Sequence, residues 1–527
     1  MPALPPSPRA RGAATVSAAA GKNPAASKPA ALEDMIRAAK KPAATTGKPA
    51  TASSSKAALR AIVLPGNNHQ MLLDALARRP WWHATCEKGL DASSSDFWWG
   101  GNGQPFEWKG AAPRTLVNKM SVHGGLVVKS RLALNLRRYA RAAKIDPASL
   151  VPLSFVLTAG PAAAAEQSEL GAFREAAAAA AAHGEKIWIV KPGHGNRGHG
   201  IKVLPSAKMV EAHLRTQKPG CAFVVQKYIE RPLLLGETGR KFDIRQFVLV
   251  THDYQVWMYR DSYVRTCTDA YEPGNTSDLG MHLTNDYVQK TLPSFGQFED
   301  SNKLSFEQLQ ALLDARPLPD GTTLSVQLDL WPRMRTIVAH TFACVIPLFA
   351  SAPSRGHSLE ALTLTLTPTL TLTLTLTLTL TLTLSLTLTQ NLTLTLTLTL
   401  SLSLSLSLSL TLSLTLTLTL TLTRHSFELY GLDFMVTDDG AVQLIEANTS
   451  PALFQRGAYL TEMLPRLIEE TFQKAIDPVH PPPPSCPAEA LPQPLDRFEL
   501  VEVPSPLQPA VQPSRAGAAA RISSSTS

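Results

Sequence analysis

Residues 427–451, FELYGLDFMVTDDGAVQLIEANTSP, restrict the fold more than any other stretch of the chain. The pattern is strand, turn, strand. Asp439-Gly440 is a two-residue hairpin signal, because both central positions of so tight a turn call for positive φ. With those residues at the turn, Asp438 faces Ala441, and counting outward sets Asp433 opposite Glu446. Asn448, two residues on, projects from the same face. Two carboxylates directly across a strand pair repel each other and destabilise an ordinary hairpin. One reading is a hairpin whose charges point to solvent. The other is a site for a hard cation, since two carboxylates and an amide oxygen suit Mg²⁺, which completes its shell with water and substrate phosphates. The hairpin alone leaves both open.

Proline-rich and alanine-rich stretches and a long Leu/Thr tract reduce the foldable part of the 527 residues, which is still ample for a sizeable core. Lys and Arg number 50 against 42 Asp and Glu, a net charge of +8. That balance favours an acidic partner, peptide or nucleic acid, without choosing between them. Cys86, Cys221, Cys267, Cys344 and Cys486 are scattered and lack CxxC spacing. This predicts a reduced intracellular protein with neither a disulfide framework nor a zinc site. The N-terminus has no apolar segment of the secretory kind. Residues 1–56 carry only Glu33 and Asp34 as acids and read as a basic disordered tail, a composition that organelle transit peptides share.

Residues 57–79 read as a helix-containing entry to the fold. Trp81, Trp82, Trp98, Trp99 and Trp108 follow without the regular spacing of a base-stacking surface, so packing is the better account. Residues 129–143 and 166–183 have helical character, and residues 331–348 present Met334, Ile337, Val338, Phe342, Val345 and Ile346 at helical spacing. Residues 186–192, 223–229 and 242–251 are strand-like, and 256–265 alternates in part. Residues 362–423 are a near-perfect Leu/Thr/Ser dipeptide repeat. A hydroxyl on nearly every second residue argues against a membrane span. The tract falls where a loop is expected, and loops tolerate insertion, so it is expected to be dispensable. From 478 onward the Pro/Ser/Ala content predicts disorder.

Lys191 ends a strand and leads into Pro-Gly-His-Gly-Asn-Arg-Gly-His-Gly, residues 192–200. The glycines let backbone lie close over phosphates, with Lys191 and Arg197 supplying charge. The strand-like IKVL that follows excludes a Walker loop and points to a β-hairpin lid. Gln226-Lys227-Tyr228-Ile229 is an extended segment able to read an adenine edge between apolar walls. Lys241, Asp243 and Arg245 alternate on one strand face, either as a solvated salt-bridged row or as a charged row beside the lid. Arg265 and the quartet His282-Leu283-Thr284-Asn285 add a further cation and more hydrogen-bonding groups.

KIWIVKP, NRGHGI, VVQKYIERPLLL, GRKFDIRQFVLV, MYRDSYVR, MHLTN and SFELYGLDFMV…QLIEANTSP occur in this order. Together they resemble the tubulin–tyrosine ligase-like family, closest in motif to the tubulin glycylases. The likeness runs from residue 119 or 129 to 474, apart from the Leu/Thr tract. Two departures stand out: His199 sits where the lid usually has another basic residue, and the N-terminal part matches poorly.

The resemblance implies an α/β ATP-grasp fold, two β-rich lobes enclosing the nucleotide, with a small N-terminal domain and disordered tails. The expected division is a tail (1–56), N-terminal domain (57–128), central lobe (129–229), C-terminal lobe (230–477, with the tract inserted) and tail (478–527). ATP would lie against Lys191, Arg197, Gly198, Gln226, Lys227, Tyr228, Ile229, Lys241, Phe242, Asp243, Thr284 and Asn285. Lys191, Arg197, Arg245 and Arg265 would act on the transferring phosphoryl group, and Asp433, Glu446 and Asn448 would hold Mg²⁺.

The implied activity is addition of an amino acid, glycine rather than glutamate, to glutamate side chains in the acidic tails of tubulin through an acyl phosphate. A polyglutamylase and a catalytically silent microtubule-binding member are the alternatives. The implied setting is cytoplasm and cytoskeleton, including the axoneme of a cilium or flagellum, with no nucleic acid or membrane as partner.

Overall fold

The strands form three sheets, each from strands consecutive in the chain. In a computed structural model the described residues are 58–87, 95–101, 106, 115–120, 123–160, 164–195, 198–318, 321–351, 426–487, 489 and 491–504. The Leu/Thr tract, Trp108, Asn196, Arg197, residues 1–57 and residues 505–527 lie outside them.

The first sheet is parallel, in the order β2-β1-β3-β4. Its strands are β1 (Leu59–Val63), β2 (Trp82–Thr85), β3 (Phe97–Trp99) and β4 (Leu116–Val117), with helix α1 (His69–Ala77) after β1. Trp81, Trp82, Trp98 and Trp99 are all buried, as packing residues should be. One face of the sheet has a small cluster of its own, Ile62, Trp98 and Val117, and the other face is shared with the rest of the chain. Val63, Phe97 and Trp99 share one apolar cluster with Phe427, Leu464 and Phe472 from the far end of the sequence. Phe427 N–H also donates to the Val117 carbonyl at 3.0 Å.

The second sheet is antiparallel, in the order β5-β8-β6-β7. Its elements follow helix α2 (Lys129–Ala143): β5 (Ser154–Thr158), α3 (Ala164–Ala182), β6 (Trp188–Pro192), β7 (Lys202–Leu204), α4 (Ala207–Arg215) and β8 (Ala222–Lys227). Strand alternation separates its two faces. Trp188, Val190, Phe223 and Val225 pack on Phe173 of α3 and on Val210 and Leu214 of α4. Ile189, Lys191 and Gln226 face the other way.

The third sheet contains β9 (Leu234–Leu235), β10 (Arg240–Val250), β11 (Val256–Tyr259), β12 (Tyr263–Ala270), β13 (Lys303–Leu304), β14 (Glu428–Val436), β15 (Val442–Thr449) and β16 (Phe498–Val501). Short helices α5 (Leu279–His282) and α6 (Asp286–Gln289) follow β12, α7 (Trp331–Ser351) precedes β14, and α8 (Gly457–Ala475) follows β15. Strand β10 is buried along its whole length. Phe242, Ile244, Val248 and Val250 pack with Met334, Val338 and Phe342 of α7. On the opposite face Phe247 and Leu249 pack with Leu464 and Leu467 of α8.

The β14–β15 hairpin pairs Asp433 with Glu446, as the sequence predicts, but by a different route. The connection is a three-residue loop closed by Thr437 N–H to the Ala441 carbonyl at 2.9 Å, with Gly440 alone at positive φ, 80°. A type I turn followed by a left-handed glycine suits that loop length. It moves the register by one residue, and a β-bulge moves it back: Phe434 pairs with Leu444, so Ile445 is the extra residue. Bulges re-aim side chains, and here Ile445 and Glu446 both line the same cleft.

The tail expected to be disordered from 478 contains β16, which pairs with β11 from Tyr259↔Phe498 to Val256↔Val501. Phe498 is buried and meets Tyr259 edge-on, with ring centroids 4.9 Å apart. An uncovered β11 edge would offer unpaired backbone groups, and four residues of strand are too few to register in a composition dominated by proline. Among the described residues no helix is long and apolar enough to cross a membrane. Phe498→Ala is expected to destabilise the protein by about 3 kcal/mol. An unchanged urea midpoint would show that β16 contributes nothing to stability.

Candidate nucleotide and metal site

A cleft opens between the lid-side face of the second sheet and the charged end of β10. Lys191 and Gln226 line one wall, and Lys241, Asp243, Arg265, Asp433 and Glu446 the other. The lid is a hairpin, as expected, with Trp188 paired to Leu204 and Val190 to Lys202. Gly198 in its loop has φ 75°, a conformation that favours glycine. The His199 ring packs on Tyr287 of α6 at 4.9 Å, holding the lid loop against the third sheet's side of the cleft. Arg197 lies outside the described residues.

Ile189, Ile201, Tyr228, Leu283, Met435 and Ile445 give one end of the cleft apolar walls suited to a planar ring. Lys227, Tyr228 and Ile229 border this end. The Lys227 ammonium is engaged by Glu230 at 2.5 Å and by the Ile187 and Tyr228 carbonyls at 3.2 and 3.1 Å. Phe242 requires a correction: it faces the α7 core, on the opposite side of β10 from Lys241 and Asp243. A strand cannot turn three successive side chains to one face.

The other end is a network of buried charges. Asp243 accepts from Arg265 Nε at 2.8 Å and from Thr284 Oγ1 at 2.6 Å. Asn285 Oδ1 caps α6 by accepting from Tyr287 N–H at 2.8 Å. Asp433 accepts from Arg245 Nε at 2.5 Å, and Arg265 Nη2 stands 2.9 Å from its other oxygen. Arg245 therefore sits behind Asp433 and does not line the cleft. Lys191 donates to Gln226 Oε1 at 2.7 Å, and Lys241 donates to the Tyr228 hydroxyl at 2.7 Å and the His282 carbonyl at 3.1 Å. Burial pushes both ammonium groups down from 10.5 to about 8, Lys191 despite the opposing pull of Glu446.

Asn448 Nδ2 lies 3.2 Å from both Asp433 Oδ2 and Glu446 Oε1, so the three predicted ligands converge on one point. Turning the amide about its last bond puts oxygen there, and amide orientation follows the hydrogen-bond network. The donor set thus fits Mg²⁺. Among the described residues no cluster of three His, Cys, Asp or Glu side chains is placed to hold a metal; here the third donor is an amide. Burial raises the Asp433 carboxyl against the pull of its two arginines. Burial also opposes ionisation of Glu446, yet Lys129 and Lys191 hold it far below the usual carboxylate range.

Lys129 is the residue that the sequence reading missed. It begins α2, stands 3.0 Å from Glu446 Oε2 and donates to the Gly195 carbonyl of the lid at 2.8 Å. Its only sequence signal was a place at the start of a basic amphipathic helix.

Lys241→Met gives a test of the network's cost. Unfolded, this lysine titrates near 10.5, and folded near 8. Between those values the unfolded chain binds the extra proton, so the lysine's penalty is full below pH 8 and vanishes above 10.5. The variant is expected to be more stable at pH 7, by up to roughly 3 kcal/mol, with the advantage shrinking as pH rises. Thermal melts at pH 7 and pH 10 measure this, and equal melting of variant and wild type at pH 7 would refute it.

Comparison with known proteins gives the network a context. The human protein named tubulin monoglycylase TTLL3 is 38% identical over 164 residues, 29% of this chain and 20% of its own length. The Macaca fascicularis protein polyglycylase TTLL10 is 26% identical over 313 residues, 55% of this chain and 38% of its own length. The human counterpart, named inactive polyglycylase TTLL10, is also 26% identical over 313 residues, and the chain covers 35% of it. The chain thus spans well under half the length of these relatives. The model of the tubulin-tyrosine ligase family matches residues 110–352 and 405–487, taking in both walls of the cleft, the lid and the Asp433–Glu446 hairpin, and the chain belongs to that family.

Proposed function

We propose that the chain is an ATP-dependent ligase of ATP-grasp architecture that adds an amino acid, glycine, to glutamate side chains of tubulin. The second and third sheets act as the two lobes, residues 129–229 and 230–477, with β16 added to the edge of the second lobe and the first sheet as an accessory layer. The observation that carries this reading is one cleft with cations on two walls, Lys191 on one and Lys241 and Arg265 on the other, beside a convergent Asp433–Glu446–Asn448 oxygen set. That is the inventory for a nucleotide triphosphate with its metal.

Adenine would lie among Ile189, Tyr228, Met435 and Ile445. Lys191, Lys241 and Arg265 hold phosphate oxygens; Arg197, outside the described residues, is proposed as a further cation on the ground of the family resemblance alone. Asp433, Glu446 and Asn448 would hold Mg²⁺, which when bound neutralises phosphate charge. A glutamate carboxylate attacks the γ-phosphorus, ADP leaves, and an acyl phosphate forms. The amino group then attacks the acyl carbon, phosphate departs, and an amide remains. The chain's own part is positioning and charge stabilisation, so no side-chain nucleophile is called for.

Glycine over glutamate is supported by the glycylase names of the relatives and by Arg245. A glutamate donor carries a second carboxylate that needs a cation, and the Arg245 guanidinium is engaged by Asp433. Polyglutamylation is the alternative with the same chemistry. A silent microtubule-binding member is the third, given the equal likeness to the human protein named inactive; retention of the full metal set and of Lys191 and Lys241 favours activity. The acidic tubulin tails suit the chain's net positive charge, and the proposed setting is the cytoskeleton, cilia and flagella included.

Glu446→Gln keeps the side chain's shape and is expected to leave a folded protein whose ligase activity falls at least about 100-fold. Near wild-type turnover with Mg²⁺ would remove Glu446 from the metal site. Mass spectrometry of tubulin tails incubated with the protein, ATP and mixed amino acids decides the donor. Tails gaining glycine support the proposal, and tails gaining only glutamate refute it.

A further inference from the structure

Behind Lys241 runs a buried chain of hydrogen bonds whose direction is fixed. His282 Nε2 lies 2.8 Å from the Asn275 carbonyl. A carbonyl only accepts, so Nε2 carries the proton, and in a neutral imidazole Nδ1 is then an acceptor. The Tyr228 hydroxyl, 2.8 Å from Nδ1, must donate to it. Its lone pairs are thereby left for the Lys241 ammonium at 2.7 Å. Burial lowers the imidazole's proton affinity, so the ring stays neutral at physiological pH. The same ammonium stands over the Tyr228 ring, 4.5 Å from its centroid, and donates to the His282 carbonyl.

We infer that His282, acting through the Tyr228 hydroxyl, is a positioning residue that keeps the Lys241 ammonium charged and aimed into the cleft. Its purpose there, holding a phosphate, rests on the nucleotide reading above. A hydroxyl that donates in one direction is a better acceptor in the other, because hydrogen bonds in a chain polarise each other. Apart from the His282 carbonyl, the groups facing Lys241 include no other strong acceptor that is free of a closer partner. They are Tyr228 and Tyr271 with their rings, the buried Cys267 thiol on β12, Lys191 across the cleft, and Asp243 on its own strand, which Arg265 and Thr284 occupy. Asp278 and Lys241 are the charged groups near the imidazole, and Glu230 and Tyr271 lie near the tyrosine.

Two measurements on the full chain test this. In the nucleotide-free protein, the Lys241 ¹³Cε resonance, identified by its loss in Lys241→Arg, gives the lysine's titration midpoint directly. His282→Leu and Tyr228→Phe are each expected to lower that midpoint by about one pH unit, the effect of losing one hydrogen bond to a charged group. His282→Asn, whose amide oxygen can stand where Nδ1 stands, is expected to restore it. An unchanged midpoint in both His282→Leu and Tyr228→Phe overturns the inference. So does a shift that His282→Asn fails to correct, since it would reflect lost packing alone. In the second measurement, ATP affinity from pH 6.5 to 9.5 should begin to weaken about one pH unit earlier in His282→Leu than in wild type. If wild type binds no ATP while the lysine midpoint still shifts as expected, the relay stands and the nucleotide reading falls.

Discussion

Burying Lys241, Asp243 and Arg245 in strand β10 takes three charges out of water, at an effective cost of several kcal/mol each. The strand meets this cost with partners drawn from separate elements. Asp243 takes Arg265 from β12 and Thr284 from the segment after α5. Arg245 takes Asp433 from β14, and Lys241 takes Tyr228 from the end of β8. Each pairing fixes one wall of the cleft relative to the strand, so satisfying the charges and building the site are one requirement. Farther along the same face Phe247 and Leu249 replace charge with apolar contact. The strand is thereby anchored in two cores while its first half carries the destabilising groups.

Much of this was legible in the sequence because strand alternation is a strict rule. The spacing of Lys241, Asp243 and Arg245 needed only a period of two, and the lid hairpin followed from two β-rich segments around a glycine-rich loop. The Asp433–Glu446 pairing is more instructive. The expected two-residue turn is a three-residue loop, and the expected regular ladder contains a bulge at Ile445. Each departure moves the register by one residue, in opposite senses, so the pairing came out as counted. Asp-Gly announces a tight turn without fixing the loop length, and a bulge of one apolar residue among apolar residues leaves no mark in composition.

The residues that escaped notice did so for other physical reasons. Lys129 belongs to the site through the path of the chain, since α2 begins beside Glu446 and the lid, and no local pattern encodes that approach. Phe242 entered the expected site because it stands between Lys241 and Asp243, although its neighbours' alternation turns it to the α7 core. Strand β16 was hidden by the proline content around it. No local pattern shows that Phe97 and Trp99 of the first sheet share a core with Phe427 and Phe472, because those partners lie more than three hundred residues away in the chain.

The cleft's cations divide by their partners. Arg245 and Arg265 are matched with Asp433 and Asp243 and hold the framework. Lys191 and Lys241 hydrogen-bond neutral oxygens, those of Gln226 and Tyr228. Burial therefore tells on them, and both titrate near 8 instead of 10.5. Arginine, charged at any accessible pH, suits the structural pairs, whereas a lysine's proton affinity responds to its surroundings. An anion entering between Lys191 and Lys241 would supply the counter-charge their partners lack and raise both proton affinities together. The cleft thus favours a polyanion over a neutral ligand of similar shape, and the preference comes from two lysines whose burial destabilises the protein that holds them.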